Sequence, residues 1–228
     1  MRIAILQSSY IPWKGYFDLI HSVDEFVLFD DVQYTRRDWR NRNRIKTPNG
    51  SAWLTIPVST KGKYLEPIKD ICVSDPSWGD HHWRSISANY ARAPYFKQYK
   101  DLFEPLFLDQ SERRLSGINY RWIRAICEVL GIRTRLSWSM DYQLASGKTE
   151  RLVEICRQAG ATTYLSGPSA RNYIEPVQFR DANVELVYFD YAGYPEYSQL
   201  FPPFDHHVSV LDLIFNQGPD ATRYMLSF

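Results

Sequence analysis

Six cations, Arg36, Arg37, Arg40, Arg42, Arg44 and Lys46, fall within eleven residues of the stretch DDVQYTRRDWRNRNRIKTPNG, Asp30 to Gly50. Arginine and lysine hold phosphate and carboxylate groups through charge-assisted hydrogen bonds. Arg42 and Lys46 are assigned to the ligand, together with Asn43, which offers both a donor and an acceptor. Asp30 and Asp31 open the stretch and are candidate catalytic carboxylates. Such a pair holds Mg²⁺ through water, positions an amine, or caps the next turn. A solvated basic loop and a nucleic-acid patch are the plainer readings of the cluster.

Three other segments carry polar chemistry. In LQSSYIPWKGYFDLI, a turn built with Pro12, Trp13 and Gly15 leads from an apolar run into an amphipathic one. Backbone amides of such a turn cradle anions, and Gly15 allows a phosphate close approach to the backbone. Gln7, Tyr10, Trp13, Gly15 and Tyr16 are its binding candidates. The alternative is a rigid connector with Trp13 as a core plug. In YLSGPSARNYI, Ser166, Gly167, Ser169, Arg171 and Tyr173 form a second set, with Ser169 placed to cap a following helix. No Gly-x-Ser-x-Gly elbow accompanies it, which argues against a nucleophilic serine. In FPPFDHHVSVLDLIFNQG, His206 and His207 are candidates for a general base or a ligand contact. Adjacent histidines point different ways, as do His81 and His82, so no zinc site is expected.

These segments sit in a chain of 228 residues with a formal net charge of +1. That balance supplies no global field for nucleic acid or an anionic membrane. Cys72, Cys127 and Cys156 are odd in number and far apart, and read as reduced packing thiols of a cytoplasmic protein. No apolar run reaches the roughly 18 residues of a membrane span, and the start does not read as a signal peptide. Aromatic residues reach 15%, enough to line a small-molecule cleft as well as a core.

The elements that must position these residues follow from periodicity. Strands are expected at Arg2–Leu6, Glu25–Phe29, Ala52–Val58, Arg133–Trp138, Thr162–Leu165 and Val184–Phe189. Helices are expected at Tyr16–Ser22, Pro76–Tyr90, Tyr95–Phe107, Glu112–Leu130, Thr149–Ala159 and Ser209–Asn216. Gly131 and Gly160 are natural helix ends, and Ser209 with Asp212 resembles a capping box. The order predicts an α/β fold with a mostly parallel, Rossmann-like sheet, formed by 1–75 and 131–228. A helical insert, 76–130, packs on the same single domain. Ligands of such sheets bind outside the carboxyl ends of the strands. Gln7–Gly15, Asp30–Lys46 and Ser166–Tyr173 all fall at such ends.

Together, QSSYIPWKGYFDLI, DDVQYTRRDWRNRNRIKTPNGSAWLTIPV, YLSGPSARNYI and VSVLDLIFNQG resemble the WbqC-like family over nearly the whole chain. Members commonly read His-Gln-Pro-Asn-Tyr at the front, where this chain has Leu6-Gln7-Ser8-Ser9-Tyr10. The resemblance implies a role in bacterial surface-polysaccharide or O-antigen sugar synthesis. The layout is also similar to HIGH-type nucleotidyltransferases, whose first turn and late Ser-rich turn hold ATP phosphates. The expected function is a transferase of nucleotidyl or acyl groups that uses a nucleotide or nucleotide-activated substrate, with ATP and Mg²⁺ as candidate cofactors. A non-catalytic nucleotide-sugar binder or scaffold and an amide-forming transferase using an activated acyl donor are the alternatives. The partner is a small molecule, and a homodimer is left open.

Overall fold

A computed structural model describes residues 1–60 and 65–228. Its frame is a five-stranded parallel sheet of β1 (Arg2–Leu6), β2 (Glu25–Leu28), β5 (Arg135–Trp138), β6 (Thr163–Ser166) and β7 (Glu185–Tyr188). Their spatial order is β5-β2-β1-β6-β7, and every neighbouring pair is parallel. Parallel neighbours need crossovers, and helices supply them. Helix α1 (Lys14–His21) joins β1 to β2, α5 (Lys148–Ala159) joins β5 to β6, and α6 (Pro176–Asp181) joins β6 to β7.

The alternation of side chains across the strands divides the core into two layers. Ala4, Phe26 and Leu28 belong to one cluster with Phe17, Trp122 and Ile214. Ile3, Ile5 and Val27 belong to the other, with Leu152, Ile155 and Phe179 from α5 and α6. Both faces are thus covered, which explains why β1 and β2 read as continuous apolar runs rather than alternating ones.

Between β2 and β5 the chain builds a hairpin and three helices. The hairpin pairs β3 (Arg42–Thr47) with β4 (Gly50–Thr55), antiparallel, with Arg44 opposite Trp53. No strand was expected over Arg42–Thr47. The many charges obscured a strand whose alternate members Asn43 and Ile45 are buried. The strand read at Ala52–Val58 ends at Thr55, before Pro57, and Gly50 turns the hairpin with a φ of 102°. Helices α2 (Trp78–Tyr90), α3 (Phe96–Leu108) and α4 (Leu115–Leu130) follow. Their rings Phe103, Phe107 and Trp122 are fully buried in the same cluster as Ala4 and Phe17, so the insert shares the core of the sheet.

Helix termini match their sequence signals in part. Gly131 and Gly160 end α4 and α5 in the left-handed region, with φ of 71° and 68°. Ser209 caps α7 (Val210–Gln217) by accepting from Leu211 N. Asp212 does not complete a capping box: its carboxylate accepts from Tyr90, Tyr197 and Gln199. Ser169 does not cap a helix either, since it lies inside the 3-10 turn Pro168–Asn172. Among the described residues, no helix is long and apolar enough to cross a membrane.

Candidate functional site

In chain order the sheet strands run third, second, first, fourth, fifth, so the direction of winding reverses between β1 and β6. Crossovers leaving β1 and β6 diverge there and open a crevice at the carboxyl ends. A cavity of about 420 Å³ lies at this point. Leu6 ends β1 on its lining and Ser166 ends β6 on it. Three separate stretches meet around it: Ser9, Pro12, Trp13 and Tyr16 from the first; Trp39, Arg40 and Asn43 from the second; Ser166–Ala170 and Tyr173 from the third.

The turn after β1 is held from beneath. Asn43 Nδ2 donates to the carbonyls of Tyr10 and Ile11 at 3.1 and 2.9 Å, while its Oδ1 accepts from Arg44 N at 2.8 Å. Ile11 has a φ of 35°, an unusual backbone for a β-branched residue. Tyr10 is sealed in the core, its hydroxyl 2.9 Å from His82 Nδ1. Since His82 Nε2 faces the Thr55 carbonyl at 3.2 Å, it carries the proton, so Nδ1 accepts from Tyr10. Burial lowers the His82 pKa to about 4, which keeps this arrangement neutral. Gly15 has a different role from the expected phosphate approach: a Cβ there would lie 2.4 Å from the Trp13 indole. The glycine makes room for the ring. Trp13 then packs against Tyr191 and Tyr194, with centroids 5.3 and 5.5 Å apart.

The remaining binding candidates separate. Tyr16 lines the cavity and donates its hydroxyl to the Gln7 carbonyl at 3.0 Å. The Gln7 side chain accepts from Arg40 Nη1 at 3.2 Å and faces a neighbouring hollow of about 620 Å³. Ser166, Gly167, Ser169 and Tyr173 line the first cavity. Arg42, Lys46 and Arg171 do not. Strand alternation sends Arg42 and Arg44 to the side opposite Asn43, where they lie over Trp53 at 4.1 and 5.7 Å. Lys46 is buried and donates to the Pro203 carbonyl. Arg171 lies over the Tyr188 ring at 4.1 Å.

Of the four catalytic candidates, His207 reaches the cavity lining, with Nδ1 3.3 Å from Asp205 Oδ1. His206 packs on Phe204, with centroids 4.5 Å apart, and burial followed by the charge of Lys14 lowers its pKa. Asp30 is fully buried and accepts from Ser8 N at 2.9 Å. Burial raises its pKa, and among the described residues its Oδ2 has no hydrogen-bond partner. Asp31 borders the neighbouring hollow, where Lys69 occupies Oδ1 and Ser139 Oγ holds Oδ2 at 2.6 Å. A magnesium ion on Asp31 would have to displace that ion pair, so the two aspartates do not fit a ready-made Mg²⁺ site. Among the described residues, no group of three His, Cys, Asp or Glu gathers as a metal site.

Sequence reasoning passed over Arg40, Trp39 and Tyr191 as site residues. Arg40 and Trp39 stood inside the basic cluster, but nothing in their spacing separated the cation on the cavity lining from its neighbours. Tyr191 follows the end of β7 by three residues, at the same carboxyl edge as Leu6 and Ser166.

The WbqC-like protein family matches residues 7–224. The chain is also 49% identical over 224 residues to the uncharacterized protein Rv1507c of Mycobacterium tuberculosis, covering 98% of this chain and 97% of that one. No solved structure matches it.

Proposed function

From membership of the WbqC-like protein family, to which this chain belongs, we propose an enzyme of bacterial surface-polysaccharide synthesis. It binds a nucleotide or nucleotide-activated sugar in the cavity between β1 and β6 and transfers a nucleotidyl or acyl group. The carrying observation is the composition of that cavity at the point where the sheet's winding reverses. Trp13, Trp39, Tyr173 and Tyr191 offer ring faces, while Ser9, Ser166 and Ser169 offer small polar groups. Sugars and bases are bound by this combination of apolar faces and a few fixed polar atoms. Catalysis would rest mainly on orientation, with His207 the candidate proton carrier at the lining.

A non-catalytic nucleotide-sugar binder is the second reading. It is favoured by the placement of Asp30, Asp31 and His206 away from the cavity lining. A thermal-shift panel of ATP with and without Mg²⁺, CTP, UDP-sugars, dTDP-sugars and acyl-CoA tests the proposal. At a hundredfold excess over Kd a ligand stabilises the fold by about 2.7 kcal/mol. For a chain of 228 residues this corresponds to roughly 5–10 °C. Stabilisation by a nucleotide or sugar nucleotide, with product formed when an acceptor is added, is the expected result. A shift without product in any combination selects the binder, and a panel that moves nothing overturns both readings.

A further inference from the structure

The Arg40 side chain is nine-tenths buried and its guanidinium is only partly satisfied. Its side chain is 9% exposed, and among the described residues Nε has no hydrogen-bond partner. Nη1 donates to Gln7 Oε1 at 3.2 Å, a neutral acceptor that orients the group without cancelling its charge. The nearest carboxylate contact among the described residues is Asp38 Oδ2, 4.0 Å from Nε. That oxygen already accepts from Thr35 Oγ1 at 2.7 Å, and Asp38 Oδ1 accepts from Trp39 N at 2.7 Å. The backbone beneath is fixed: the Arg40 carbonyl accepts from Asn119 Nδ2 at 2.9 Å, and the same amide donates to Ser8 Oγ at 3.0 Å.

A buried guanidinium without a close, well-formed partner is favoured when an anion completes it, and the buried Asp30 acts on Arg40 only at a distance. Arg40 lies on the lining of the first cavity, and that lining includes no Asp or Glu. Among the described residues, its permanent charge is therefore a single positive one. A triphosphate would bring far more negative charge than one arginine balances.

We propose that Arg40, oriented by Gln7, anchors one anionic group, a phosphate or a carboxylate, on a ring-bearing ligand in this cavity. The anion sits at the Arg40 end, and the ring lies among the aromatic faces. This deepens the functional proposal and rests on its reading of the cavity: the substrate portion held there is a sugar phosphate or a sugar acid, not a triphosphate tail.

The test measures binding of glucose 1-phosphate, glucuronate and uncharged methyl glucoside by calorimetry, with UDP-glucose as a fourth probe. Wild-type protein is compared with Arg40→Met and Gln7→Glu. Charge-assisted hydrogen bonds predict that a charged probe outbinds methyl glucoside by roughly tenfold or more. Arg40→Met should abolish that margin. Gln7→Glu places a carboxylate on Nη1, so it should weaken the charged probes while sparing methyl glucoside; it keeps the experiment decisive if Arg40→Met does not fold. Glucose 1-phosphate and glucuronate separate phosphate from carboxylate as the preferred anion. Charged probes that bind both variants as tightly as wild type overturn the role of Arg40 alone. Failure of every probe to bind wild type overturns that role and the ligand-site reading together.

Discussion

Replacing Asn43 with alanine tests how the turn after β1 is held. The amide makes three hydrogen bonds, donating to the Tyr10 and Ile11 carbonyls and accepting from Arg44 N. The residue is 2% exposed, so water does not replace them readily. Each lost bond costs about 1 kcal/mol, and leaving buried carbonyls unpaired adds to this. Relaxation of Ile11 from its φ of 35° offsets part of this loss. The sum is about 3–5 kcal/mol, or a fall in Tm of roughly 6–20 °C for a chain this long. Asn43→Asp sharpens the test. It keeps an acceptor for Arg44 N but turns a carboxylate oxygen toward two carbonyls. Its deficit should exceed that of alanine at pH 7. The buried acid is favoured in its neutral form, so its folded-state pKa is raised, and the extra deficit should shrink as pH falls toward the unfolded carboxyl pKa. Urea unfolding of the three proteins at pH 7 and pH 5 measures this. An alanine variant that loses less than about 1 kcal/mol, or an aspartate variant as stable as alanine at pH 7, would refute the reasoning.

Other consequences follow from the buried groups. Burial lowers the folded His82 pKa from 6.5 to about 4, so the fold should lose stability as pH falls through that window. His82→Gln, whose amide can serve both Thr55 and Tyr10, should flatten this dependence in denaturant titrations; an unchanged slope would be the contrary result. Lys14 donates to the carbonyls of Pro195 and Tyr224, and burial lowers its pKa to about 8. The unfolded chain then binds more protons above that value, so stability should rise between about pH 8 and 10.5. Lys14→Met should remove that rise. Burial pushes the Cys127 and Cys156 thiols up to about 12, while Cys72 is half-buried. A thiol reagent at pH 8 should therefore label Cys72 first in the native protein and all three after unfolding; rapid native labelling of Cys127 or Cys156 would contradict the packing.

The centre of the sheet was legible because β1 and β2 are nearly continuous apolar runs separated by helical periodicity. Gly131 and Gly160 marked their helix ends, because left-handed backbone favours glycine. The meeting of the Gln7–Gly15, Asp30–Lys46 and Ser166–Tyr173 segments followed from one rule about the carboxyl ends of parallel strands. The hairpin strand β3 was not legible, because charged residues on its outer face outnumber the apolar positions. That single omission misplaced Arg42 and Lys46: once Arg42–Thr47 is a strand, alternation carries Arg42 and Arg44 away from the cavity and Asn43 toward it. Gly15 was misread for a related reason. Spacing shows that a glycine is needed, but only the fold shows that the Trp13 indole, rather than a ligand, takes the space.

The central claim is that ligand binding occurs in the cavity between β1 and β6. Hydrogen–deuterium exchange with and without saturating UDP-glucose tests it most directly, since it reports on both segments at once. Slower exchange across residues 7–16 and 166–173, with little change at 145–152 beside the neighbouring hollow, is the predicted result. Protection confined to 145–152, or spread elsewhere while both cavity segments remain unchanged, would contradict the account.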